Sequence, residues 1–248
     1  LNNYDKSIHH YQIVLDNINN EEGFASNLYR NYGVCLIEYG DYLNALKVVD
    51  KGLIHFSDYP DLYFLKGQIF WDLGMYDAAE KCFMRCVQFK KVSISYTTTE
   101  GVISYMSYEN LAEIYLKKDN YNKAVEYLSL SILEKPSYSK LINICIYLKK
   151  SGCSGQELLD RIREQFQLEN KITARLLYDC GEFSSCIKYI NNNNLKNDLC
   201  FLMLNALINN KSFIRAEKFI NDSQLCSLNN SEVLKKICIC CWLRPETK

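Results

Sequence analysis

YRNYGVCLIEYGDYLNALKVVDKGL, residues Tyr29–Leu53, is followed by YFLKGQIFWDLGMYDAAEKCFMRCV, residues Tyr63–Val87, and the two stretches keep one pattern with few shared letters. Aligned on Gly33 and Gly67 they are offset by 34 residues. Each pairs two small residues 12 apart, Gly33 with Ala45 and Gly67 with Ala79, as two helices need where they approach closely. Between the helices stand Gly-Asp-Tyr, Gly40 to Tyr42, and Gly-Met-Tyr, Gly74 to Tyr76. Glycine there can end the first helix in a left-handed conformation that a residue with a β-carbon resists. The aromatic two positions later can pack back into the crevice.

The pattern spreads in both directions. Tyr108, Leu111, Ala112 and Tyr115 followed by Tyr121, Ala124 and Leu128 make a third unit, again with small residues 12 apart, closed by Pro136. From Gly67 to Ala112 is 45 residues, so an insertion of 11 separates units two and three, roughly KKVSISYTTTEGVIS from Lys90 to Ser104. Such an insertion is either an inert surface loop or a segment folded toward the binding face. Tyr4, Ser7 and Tyr11 read as the second helix of a unit whose first helix is missing, and the start at Leu1 inside a helix suggests a fragment of something longer.

Beyond residue 138 the pattern loosens. SKLINICIYLKKSG and QELLDRIREQF form a helix pair without the small-residue signature. RLLYDCGEFSSCIKYI keeps Gly181, Phe183 and Cys186 in the places of turn glycine, aromatic and alanine, and a last pair keeps Phe213 and Ala216. The run Asn191–Asn194 reads as a solvated connection. Residues 231–248, containing the apolar ICICCWL, read as a capping helix.

A 34-residue helix-turn-helix period resembles the tetratricopeptide repeat family. The resemblance implies an all-α, right-handed α-solenoid. Its parts would be the second helix of a truncated repeat at 1–25, three clear units at 26–138 with the insertion near 90–104, about three divergent repeats at 139–230, and the capping helix. One helix pair cannot bury its apolar stripe alone, whereas stacked pairs bury a continuous core and constrain only the contact positions.

Composition narrows the function. Hydrophobic residues make up 48% of the 248-residue chain, ample for a core. Lys plus Arg and Asp plus Glu both number 29, so bulk charge gives no reason to expect nucleic acid or an anionic membrane. No stretch reaches the ~18 apolar residues of a membrane span, and the N-terminus lacks a secretory pattern. Of twelve cysteines, Cys35, Cys82, Cys86, Cys145, Cys180, Cys186 and Cys200 fall in helical patterns, as small buried hydrophobes do, which fits a reducing cytoplasm. Cys82 with Cys86 and the Cys238, Cys240, Cys241 cluster could hold a metal only with ligands that do not lie nearby, so no metal and no cofactor is expected. His9 and His10 read as surface residues on different sides of a helix, and with His55 as the third and last histidine no nucleophile-base pair suggests itself.

In the resembled family the first helix of each pair lines a concave face that cradles a peptide or partner helix. By helical phase those positions are Asn27, Arg30, Val34, Ile37 and Glu38 in unit one, then Asp61, Phe64, Gln68, Trp71 and Asp72 in unit two. Unit three offers Met106, Glu109, Glu113, Leu116 and Lys117. Phe64 and Trp71 stand out as interface anchors or, in the blander reading, as packing against neighbouring helices. Some members clamp a C-terminal carboxylate with Lys and Asn. Here Arg30 takes the first such position but Val34 and Leu65 replace the amides, which disfavours chaperone tails.

Over residues 20–140 the chain also looks like the C-terminal repeat region of bacterial family 2 glycosyltransferases. That likeness implies a non-catalytic scaffold for acceptor or partner binding or self-association, attached to a nucleotide-sugar domain with an Asp-x-Asp motif. This chain has no Asp-x-Asp. The alternative is a free-standing cytoplasmic adaptor that binds a peptide in its groove. Neither reading makes this chain an enzyme, a nucleic-acid binder or a membrane-spanning protein.

Overall fold

Gly33 has no room for a side chain. A Cβ there would lie 2.7 Å from Leu65 Cδ2 and 3.0 Å from Val49 Cγ2, and one on Gly67 would lie 2.8 Å from the Phe83 ring. The spacing of small residues therefore marks the points where helices touch. The computed structural model describes residues 4–18 and 24–223. Among these the fold is all-α, with thirteen helices and no strand, built as antiparallel hairpins of tetratricopeptide type. The chain divides into two compact units, Leu1–Ser137 and Tyr138–Lys248.

The first unit holds α1 (Tyr4–Asn17), α2 (Ala25–Tyr39), α3 (Tyr42–His55), α4 (Pro60–Asp72), α5 (Tyr76–Gln88), α6 (Tyr105–Lys117) and α7 (Tyr121–Glu134). Hairpins α2/α3, α4/α5 and α6/α7 are its repeated element. Gly40 ends α2 at φ 88°, its N–H donating to Ile37 O, while Asp41 caps α3 by accepting from the Asn44 N–H at 3.1 Å. Gly74 repeats the left-handed turn, and in the third hairpin Asp119 adopts it at φ 52°. Proline at the first position of α4 needs no N–H partner there. The core runs from Tyr29, Leu36, Val49 and Leu62 to a second cluster around Phe83, Leu111 and Ile114.

The second unit holds α8 (Tyr138–Lys150), α9 (Gly155–Gln165), α10 (Asn170–Asp179), α11 (Phe183–Asn192), α12 (Cys200–Asn209) and α13 (Phe213–Asp222). Ala174 and Cys186 are both fully buried, 12 apart like the earlier small pairs, and the Cys186 thiol donates to Ala174 O at 3.3 Å. Leu204 and Ala216 take the same places in the last hairpin. The asparagine run is not all connection. Asn191 and Asn192 form the last turn of α11, and only Asn193 and Asn194 leave it. Residues 231–248 and Cys238, Cys240 and Cys241 lie outside the described residues.

The cysteines divide by depth. Cys82, Cys86, Cys145 and Cys186 are buried in helices as expected, whereas Cys35 and Cys200 are half-buried and Cys180 sits just past the end of α10. Burial pushes the Cys82 thiol up to about 11 and those of Cys86 and Cys186 to about 12. These are inert packing groups.

Candidate functional site

The insertion between α5 and α6 is strapped onto the first turns of α2 and α4. Tyr96 stacks on Tyr59 with centroids 4.7 Å apart, meets Phe56 edge-on, and donates its hydroxyl to the Asp58 carboxylate. The buried Tyr59 hydroxyl lies 2.8 Å from Thr97 O and 3.1 Å from Asn27 Oδ1. The Thr99 N–H donates to Asp61 Oδ1 at 2.9 Å. Arg30 completes the strap, with Nε 3.2 Å from Asp61 Oδ1 and one terminal nitrogen donating to Thr99 Oγ1 at 2.7 Å. Burial, and secondarily Asp61, raise the Tyr59 phenol, and burial with Asp58 pushes Tyr96 up to about 12. Both remain neutral donors. Of the two readings of the insertion, the inert loop is thus replaced by a segment folded onto the first helices.

Beneath it lies a cavity of about 180 Å³. Arg30 and Val34 from α2, Asp61, Phe64, Leu65 and Gln68 from α4, Thr99 and Val102 from the insertion, and Met106 from α6 form its wall. Six of the expected groove residues therefore converge on one site: Arg30, Val34, Asp61, Phe64, Gln68 and Met106. The Arg30 guanidinium is committed to Asp61 and Thr99, which is no arrangement for a carboxylate clamp.

Of the two readings of Phe64, packing against its neighbours holds. It is only 6% exposed and makes an edge contact with Phe83 at 5.3 Å, so it serves the repeat core and forms the floor of the cavity, not an exposed anchor. Its helical phase looked free because the insertion and α6 that cover it belong to later sequence. Trp71 is half-buried, 5.1 Å from the Tyr76 ring, with the Lys117 ammonium over its face at 6.0 Å. Asn27 is drawn into the strap. Val34 remains 39% exposed, and Ile37 and Leu116 are half-buried.

The remaining face is acidic. Glu38, Asp72 and Glu113 are exposed on α2, α4 and α6, and Lys117 is the cation among them. Glu109 accepts a hydrogen bond from the Ser131 hydroxyl at 3.0 Å. The Glu113 carboxyl is raised, first by desolvation and then by Glu109, with Lys117 opposing, although more than a third of its surface meets solvent. Thr99 and Val102 escaped the phase argument, which followed only helices. The signal that could have found them was the insertion's length, just enough to turn back over the preceding pair.

Comparison with known proteins agrees with this architecture. The family model described as "Tetratricopeptide repeat" matches residues 60–92 and 107–138, so hairpins α4/α5 and α6/α7 are tetratricopeptide repeats. No curated protein matches the chain. Among solved structures, a crystal structure of MamA protein is similar at 16% identity and a TM-score of 0.51, covering 72% of this chain and 85% of that one. YrrB, described as a TPR protein with an unusual peptide-binding site, is similar at 15% identity and a TM-score of 0.47, covering 87% and 96%. A tetratricopeptide repeat protein from Parabacteroides merdae follows at 12% identity and a TM-score of 0.45, covering 96% and 98%. At 16% identity the MamA likeness speaks to the fold alone, and the two with TM-scores below 0.5 add nothing to it. No helix among the described residues is long and apolar enough to cross a membrane.

Proposed function

We propose that this chain is a non-catalytic interaction module whose first unit binds a peptide or partner segment along α2, α4 and α6. The observation that carries the reading is that α2, α4 and α6 each leave apolar side chains partly accessible, Val34, Ile37, Trp71 and Leu116, close in sequence to the exposed carboxylates Glu38, Asp72 and Glu113. Apolar anchors ringed by charge are what a docked segment uses. The carboxylates favour a basic segment and repel phosphates, which argues against nucleic acid. A random peptide library selected against the chain tests it. Binders should be lost on Val34→Arg or Trp71→Ala while helicity is unchanged, and selection that yields no binder sensitive to either variant would reject the groove.

The setting follows one of two lines. The module is either the repeat region of a bacterial glycosyltransferase or a free-standing cytoplasmic adaptor. The coding sequence upstream of Leu1 separates them, since only the first requires a domain with Asp-x-Asp.

Self-association is a second reading, favoured by charge. Residues 1–137 carry 13 Lys and Arg against 18 Asp and Glu, and residues 138–248 carry 16 against 11. The acidic first unit of one copy therefore attracts the basic second unit of another. Light scattering should show assembly at low ionic strength that dissolves in high salt, and a mass independent of salt would end this reading.

A further inference from the structure

Asp61 is 3% exposed, and its two oxygens are treated differently. Oδ1 accepts from the Thr99 N–H and faces Arg30 Nε, whereas Oδ2 is buried without any hydrogen-bond partner. A buried carboxylate oxygen lacking a donor carries an uncompensated desolvation cost, so a native site holds such an atom for something. The residue lines the 180 Å³ cavity. That volume is several times the ~30 Å³ share of one water molecule, more than one bridging water would need.

The rest of the wall is apolar through Val34, Phe64, Leu65, Val102 and Met106 and polar through Arg30, Thr99 and the Gln68 amide, and of these Arg30 and Thr99 are already engaged with Oδ1 and with each other. Arg30 does not pair with Oδ2, because its nitrogens reach Oδ1, Thr99 and Asn31. A cavity with an apolar side and one unpaired carboxylate oxygen calls for a ligand with a hydrocarbon stem and a donor at its tip. Arg30 and Asp61 balance each other within the wall, so the preference for a positive tip comes from the exposed carboxylates of Glu38, Asp72 and Glu113 on the same three helices.

We propose that this cavity is a lysine pocket. A lysine of the bound segment would lay its four-carbon stem against Val34, Val102 and Met106 and donate from its ammonium to Asp61 Oδ2 and the Gln68 amide oxygen. The proposal rests on the groove reading above and gives it a side-chain specificity. Because Thr99 donates to the same carboxylate, occupation of the pocket also stabilises the insertion.

The test uses n-butylamine, the lysine side chain alone, titrated into the full chain while amide resonances are followed by NMR. n-Butanol, a neutral donor on the same stem, is the control. Saturable displacement of the Thr99 amide by n-butylamine, with n-butanol at least about tenfold weaker, supports the pocket. Equal effects from both probes, or no saturation by n-butylamine, overturn it without any variant having to fold. Asp61→Asn, with helicity checked by circular dichroism, should weaken n-butylamine by about tenfold. In selected peptides, lysine exchanged for norleucine should cost the same factor. Peptides that bind through Val34 and Trp71 yet ignore that exchange would sink the pocket and leave the groove standing. Saturation by n-butylamine without any peptide binder would do the reverse.

Discussion

Arg30 in the second turn of α2 and Asp61 in the first turn of α4 face each other, Nε 3.2 Å from Oδ1, with the carboxylate buried and the arginine side chain about one-third exposed. The pair joins two repeats and holds the insertion through Thr99. Removing the arginine leaves a buried carboxylate with one backbone donor. Arg30→Ala should therefore cost about 1–3 kcal/mol, at the lower end of a broken buried pair because its cation is partly solvated. Hydrogen exchange should rise across residues 96–103 before it rises in the helices. Urea unfolding and exchange mass spectrometry measure both, and unchanged protection of the Thr99 amide would contradict the strap.

The close approaches differ in how much they can give. A β-carbon on Gly67 meets three atoms of the fully buried Phe83 ring within 3.1 Å, whereas on Gly33 it meets mainly the tip of Leu65. Overpacking costs ~1–3 kcal/mol, and alanine in a helix returns ~1 kcal/mol over glycine. Gly67→Ala should lose about 1–2 kcal/mol, because a rigid ring cannot rotate away. Gly33→Ala should stay within about 1 kcal/mol of the parent, since a leucine terminus can swing aside. Chemical denaturation of the two variants checks the order, and Gly33→Ala proving the worse would mean that Leu65 is locked.

The hairpins were legible because their determinants are local. Gly33 and Ala45, or Gly40 and Tyr42, lie within one repeat, and sequence spacing converts directly into contact. Ala174 and Cys186 carry the same 12-residue signature, but their neighbours are less regular and only Cys186 was recognised. The site was legible by half. Helical phase brought Arg30, Val34, Gln68 and Met106 to the right face, yet it could not foresee that residues 96–102 would cover part of it. That outcome depends on Asp61 and Tyr59 receiving the insertion from 38 residues away, a tertiary pairing with no periodicity to announce it.

Thiol reactivity gives a pH-dependent check on burial. Cys82, Cys86 and Cys186 are pushed from 9.0 to about 11, 12 and 12 by loss of solvent. At pH ~8 a rise of two units lowers the thiolate fraction by ~100-fold, before steric blocking is counted. Because the folded values lie above the unfolded one, the stability these neutral thiols contribute is fully present below pH ~9 and is lost as pH rises through their folded values. Iodoacetamide labelling followed by peptide mass spectrometry should find the half-buried Cys35 modified well before Cys86. Equal rates in the folded chain would mean that the α4/α5 hairpin opens readily.

Lys211 holds the left-handed place that Gly40, Gly74 and Gly181 hold in other hairpins. Its φ is 56°, it follows α12, its N–H donates to Ile208 O at 2.9 Å, and Phe213 stands two residues on like the aromatics of the earlier turns. A lysine Cβ in that conformation costs roughly 1–2 kcal/mol relative to the right-handed region, and glycine does not incur it. Glycine gives back part of the gain through a freer unfolded chain, ~0.4–1 kcal/mol. The side chain is exposed, so little packing is lost. Lys211→Gly should stabilise the second unit by about 0.5–1 kcal/mol, read as a higher urea midpoint with the same slope. A loss of stability would show that the Lys211 side chain contributes to α12/α13 packing, and the shared turn geometry would then not be what joins the last hairpin.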